Sequence, residues 1–109
     1  MAVGLFKYDG NINDRESKLV LSENIASQQF YKKYWERAIE ELNVKYIKDG
    51  AEFDFSKKDV VLKELDLLLN WANKNLQGKD LEYMKGRIEN LKKVIPIAFN
   101  DEKTILYIF

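Results

Sequence analysis

The 109-residue chain balances 18 basic against 18 acidic residues and contains neither histidine nor cysteine. Without imidazole it lacks the usual proton carrier near neutral pH and the commonest metal ligand; without thiol it has no thiolate nucleophile, soft metal ligand or disulfide framework. The charge balance argues against a general nucleic-acid binder, whose affinity rests on a basic surplus, and a composition 46% hydrophobic and 13% aromatic argues against a disordered tail.

One domain covering residues 1–109 is expected from this length. Residues 1–10 show no basic region followed by an apolar stretch, and the most apolar run, 60–76, is broken by Lys63, Glu64, Asp66 and Asn70. Neither a signal peptide nor a membrane span is read, so the expected protein is soluble and cytoplasmic.

Residues 3–8 alternate weakly and end at Asp9-Gly10-Asn11, a strand followed by a turn signal. Residues 11–17 read as a polar loop, and Lys18-Leu19-Val20-Leu21 as a short strand able to pair with the first. Ser22 resembles an N-cap, followed by a helix to about residue 42. Its apolar residues Phe30, Tyr31, Tyr34, Trp35, Ala38, Ile39 and Leu42 fill an arc of roughly 180°, leaving the Phe30–Tyr31 edge partly open.

Residues 44–47 and 52–55 read as a hairpin across Lys48-Asp49-Gly50, with Phe53 and Phe55 on one face and Glu52 and Asp54 on the other. Ser56 to Asp59 has capping-box spacing and opens a central helix to about residue 76, whose apolar arc of roughly 220° predicts burial on more than one side. Gln77-Gly78 supplies a C-cap, and a third helix runs from Asp80 to about Val94 until Pro96 stops it. Residues 97–99 and 104–109 form a closing hairpin across Asn100-Asp101-Glu102-Lys103. The last strand is apolar at almost every position, which predicts cover on both faces and a place inside the sheet. The expected fold is α+β, a largely antiparallel sheet with three helices in the order ββαββααββ.

Three groups of side chains are candidates for function. Asp49, Glu52, Asp54 and Asp59 form an acidic group around the expected hairpin. It reads as a solvated face answered by Lys45, Lys48, Lys57 and Lys58, as a patch for a basic partner, or as a weak divalent-metal site without EF-hand spacing. Tyr31, Tyr34 and Trp35, next to Lys32 and Lys33, read as a platform for stacking bases or as an anchor of a protein interface, while a core stripe accounts for Tyr34 and Trp35 without any function. Glu64 lies within the central helix's apolar arc, either reaching solvent or a lysine, or acting as a carboxylate acid or base. Gly86 lies inside the third helix, where close packing would explain it. No residue set supplies a nucleophile with its base, and no cofactor motif is present.

In overall build the chain resembles the immunity proteins of bacterial toxin–immunity pairs, such as those of contact-dependent growth inhibition. The likeness rests on the helix with Phe30-Tyr31-Lys32-Lys33-Tyr34-Trp35, the acidic hairpin and the ending Thr104-Ile105-Leu106-Tyr107-Ile108-Phe109. It implies a non-catalytic protein that binds a cognate toxin domain, often a nuclease, and blocks its active site. These families share no diagnostic motif, so the resemblance carries over no binding residue. The reading of the acidic group and the aromatic helix makes Asp49, Glu52, Asp54, Asp59, Phe30 and Tyr31 the expected contact residues, with no metal and no direct nucleic-acid contact. A small regulatory interaction domain and a carboxylate-dependent enzyme are the alternatives.

Overall fold

The computed structural model describes residues 2–9, 18–99 and 104–109, with Asp9 and Lys18 described through their backbones alone. The expected turn at Asp9-Gly10-Asn11, the loop 11–17 and the turn 100–103 lie wholly or largely outside the described residues. The fold is α+β. Strands β1 (Ala2–Asp9), β2 (Lys18–Ser27), β3 (Glu52–Asp54) and β4 (Ile105–Ile108) form one antiparallel sheet in the order β2-β1-β4-β3. The last strand lies inside the sheet, between β1 and β3, as its apolarity predicted.

The β1–β2 ladder is longer than the sequence suggested. It pairs every residue from Ala2 to Asp9 and carries two bulges that place an extra residue on β2, at Ile25 and at Val20. Ser22, expected to cap a helix, sits mid-strand opposite Phe6, and the cap is Ser27, whose hydroxyl accepts from the Phe30 amide at 3.3 Å. Ser22 followed by Glu23 is a good local cap signal, but pairing with β1 satisfies this backbone more completely. Ile25 and Ala26, nearly inaccessible, are buried as part of the strand.

Helix α1 spans residues 28–42 and is continuous but not uniform. Gln28–Phe30 is α-helical, Tyr31–Trp35 is π-helical and Glu36–Leu42 is α-helical again. The Glu36 amide donates to the Tyr31 carbonyl, inserting one residue into that turn and turning both Tyr31 and Trp35 inward. The helix ends at Asn43 in the left-handed region (φ 56°), which asparagine tolerates.

Residues 44–47, expected to be a strand, form an irregular loop. Their amides are already committed: those of Lys45, Tyr46 and Ile47 all donate to the Glu64 carboxylate, at 2.8, 3.0 and 3.1 Å. With its neighbour unavailable as a ladder, β3 pairs with β4 instead. A 3-10 turn, Phe55–Lys57, leads into helix α2, Lys58–Asn75. Ser56 does not cap α2, whose N-cap position is Lys57 with no side-chain cap bond; Asp54 caps the 3-10 turn before it, accepting from the Ser56 amide at 3.0 Å. Val61, Glu64, Leu65, Leu68, Trp71 and Ala72 make one buried stripe, while Val60 and Leu67 are exposed. Burial of α2 on several sides is therefore corrected to a single apolar face.

Helix α3, Gly78–Ala98, passes through Pro96 instead of stopping there, so residues 97 and 98 belong to no strand, and neither does Phe99, which caps the helix. Proline removes one helical hydrogen bond, but Ile95, at 0% exposure, and Ala98 anchor the last turn in the core, and Phe99 closes it onto the Ile95 carbonyl. Gly86 faces open space, which removes close packing as its explanation. The core gathers Leu5, Ile25, Trp35, Ile47, Leu65, Leu68, Met84, Ile88, Leu91, Leu106 and Ile108 between the three helices and one face of the sheet. None of the helices is long and apolar enough to cross a membrane, among the described residues.

Candidate functional site: the open face of the sheet

Alternation along the strands sends Leu5, Leu106, Ile108 and Phe53 into the core and their neighbours to the other face. The ladders fix which of those neighbours lie side by side. One row across all four strands reads Glu52, Tyr107, Phe6, Ser22. A second row reads Phe109, Gly4, Asn24, with Gly4 and Phe109 exchanging amide–carbonyl bonds of 3.0 and 3.2 Å. Asp54 stands opposite Ile105, and Tyr8 opposite Leu19.

The two central strands thus carry an aromatic stripe on the side away from the helices. Phe6 and Phe109 stack at 4.6 Å, and Tyr8 meets Tyr107 edge-on at 6.1 Å. Gly4 makes room for the first pair: a Cβ there would lie 2.9 Å from the Phe6 ring. Leu19, Ile105 and Phe109 are 49%, 42% and 47% exposed, and Phe6, Tyr8 and Tyr107 are half-buried. None of the six packs against the core cluster. The reading of β4 as covered on both faces is therefore corrected: its residues are apolar on both faces, yet among the described residues only one face is covered.

At the β3 edge of this stripe stand Glu52 and Asp54, both exposed and opposite in face to buried Phe53, as their alternation predicted. They are the only charged side chains at the paired positions of this face described here. Asp54 is engaged by Ser56, whose hydroxyl bond holds the carboxyl below its ordinary pKa, helped by the Ser56 amide and by Lys57. Neither a hydrogen bond nor an ion pair to another described residue engages Glu52. Desolvation raises the Tyr107 hydroxyl above its ordinary pKa, and the charge of Glu52 adds to the rise.

The other acidic candidates do not join them. Asp49 and Asp59 are exposed, Asp49 in the loop before β3 and Asp59 on the first turn of α2. No group of three or more carboxylates among the described residues stands close enough to hold a metal ion. The expected hairpin that was to unite all four does not form.

The aromatic helix holds the fold together. Tyr31 is 6% exposed, so it is not the open edge expected, and its hydroxyl accepts from the Asp49 amide at 2.8 Å. Burial raises its pKa, partly offset by that bond, with Asp49 and Glu36 adding to the rise. Phe30 is half-buried between Tyr34 and Tyr83, at 4.9 and 4.5 Å. Tyr34 donates to Asp80 and Tyr83 accepts from the Ser27 amide, so this cluster pins α1 and the end of β2 to α3. Trp35 is fully buried and its indole N–H has no partner among the described residues. Glu64 is buried and its oxygens accept from the loop amides, that of Lys45 included, and among the described residues no lysine ammonium pairs with it.

An apolar groove of about 290 Å³ lies on the helix side, between the β1–β2 strands and the end of α3. Its one charged lining residue, Lys7, donates to the Ala98 carbonyl at 2.8 Å, capping the helix end. Comparison of the chain with protein-family models, with curated proteins and with solved structures gave no match.

Proposed function

We propose that this chain is an immunity protein of the contact-dependent growth inhibition type, acting in the cytoplasm of the producing cell. It binds a cognate toxin domain, a nuclease being the expected class, and occludes its active site without chemistry of its own. The observation that carries this reading is the open face: an aromatic stripe on the central strands, bordered at one edge by Glu52 and Asp54. Contiguous exposed apolar surface marks contact sites, and aromatic centres with a charged rim are how protein interfaces are built. A nuclease cleft is basic because it must hold phosphates, so an acidic rim is the complementary charge and also steers encounter.

The test is protection. The product of the reading frame adjacent to this gene, the candidate toxin, is expressed in a sensitive host with and without this chain. Restored growth together with an equimolar complex supports the proposal; growth arrest that persists with both proteins present sinks it.

A further inference from the structure

We infer that Glu52 and Tyr107, with Tyr8 bracing the Tyr107 ring, form a seat for an arginine side chain presented by the partner protein, an inference that rests on the reading of the chain as a protein inhibitor. Glu52 and Tyr107 are directly opposed in the β3–β4 ladder and share the open face, which puts their Cβ atoms about 5 Å apart. That spacing lets one planar cation lie over the tyrosine ring while its N–H groups reach the neighbouring carboxylate. Tyr8, on β1, meets Tyr107 edge-on at 72° from the side of β4 away from Glu52, and so braces the ring on which the cation would lie. Glu52 is the carboxylate available for this, because Asp54 is tied to Ser56. β3 is the outer strand of the sheet, which leaves Glu52 open to an approaching chain.

Guanidinium fits this geometry better than ammonium. It is planar, stacks on aromatic faces and offers a fork of donors to a carboxylate, whereas lysine acts as a strongly hydrated point charge. A four-stranded sheet with aromatics on its central strands can also stack the bases of a single-stranded nucleic acid. Here the charges at the paired face positions are carboxylates, which repel phosphate, so an arginine-bearing protein is the favoured occupant.

Three probes decide this: a short peptide carrying three spaced arginines, its lysine twin, and an eight-residue oligothymidylate, each followed by the NMR ring signals of Tyr8 and Tyr107. The arginine peptide is expected to shift those rings and bind about fivefold more tightly than the lysine twin, with Glu52→Gln removing most of the difference. The oligonucleotide should leave the rings unmoved. Equal binding of the two peptides, an affinity indifferent to Glu52→Gln, ring shifts with the oligonucleotide, or rings already covered in a self-associated dimer would each overturn the inference. Protection without arginine preference removes this seat and leaves the proposed function standing; arginine preference without protection does the reverse.

Discussion

The two faces of the sheet are built from the same kinds of residue and do opposite things. On β4, Leu106 and Ile108 are at most 1% exposed and complete the core, while Ile105 and Phe109, two of their sequence neighbours, are more than 40% exposed. On β1, Leu5 is buried and Phe6 lies on the open side, stacked on Phe109. Hydrophobicity alone does not decide burial; the helices cover one face and leave the other. Apolar surface left uncovered in a folded chain gains by being covered by something else.

The comparison breaks most visibly when one residue on each face of β4 is truncated. Leu106→Ala is expected to cost about 2–5 kcal/mol, since it leaves a cavity between β1, β3 and the helices. Ile105→Ala should cost less than about 1 kcal/mol. Thermal unfolding of both variants checks this, at about 4–8 °C per kcal/mol for a domain near this size. Equal losses would mean that the open face is covered in the free protein.

Next in size is Glu64, whose carboxylate organises the loop behind β3. Glu64→Gln keeps the shape but turns a donor toward amides that need an acceptor. A loss of about 2–4 kcal/mol is expected, with faster hydrogen exchange at Lys45, Tyr46 and Ile47. Unchanged exchange would show that the loop holds itself.

These two sites also mark what could be read from the sequence. The α+β class, β1, the interior position of β4 and the span of α2 follow from apolar periodicity and turn residues, and the structure has them. Glu52 and Asp54 lie opposite Phe53 because alternation requires it. The open face was hidden because Ile105, Tyr107 and Phe109 are as apolar as Leu106 and Ile108, so alternation within β4 carries no contrast. One signal was present: Phe6 and Tyr8 share a strand face with Gly4, a residue that makes room for a ring. Glu64 as a loop anchor was not legible, since its partners are backbone amides some 18 residues away, which leave no mark on side-chain pattern.

A smaller effect, about 0.5–1.5 kcal/mol, is expected for Tyr31→Phe, which removes the acceptor for the Asp49 amide. Its pH dependence has a definite sign. The folded chain holds the Tyr31 proton more tightly than the unfolded chain does, so the stabilisation is complete below the ordinary value of 10.0 and is lost as pH rises above it. Tyr107 contributes in the same direction. The gap between wild type and Tyr31→Phe should therefore narrow above pH 10.0; denaturant titrations on both sides of that pH test it, and a gap that widens refutes it.

The smallest effect on stability belongs to the edge of the open face, and it separates the two acids. Asp54→Lys removes the cap on the Ser56 amide, so any loss of binding in that variant is mixed with a local loss of structure. Glu52→Lys breaks no described hydrogen bond and should leave the melting temperature within the change expected of a surface substitution, about 0.5 kcal/mol. Its consequence lies in the field over the stripe. Without any partner, the change should move the Tyr107 hydroxyl back toward its ordinary pKa, though not fully, because desolvation is the larger cause and remains. With a basic toxin domain, association should slow most at low salt and converge with wild type as screening shortens to less than about 10 Å. A Tyr107 titration that does not move would place Glu52 too far from the ring to act on anything bound there. An unmoved on-rate with a shifted titration would mean that the toxin docks elsewhere on the molecule.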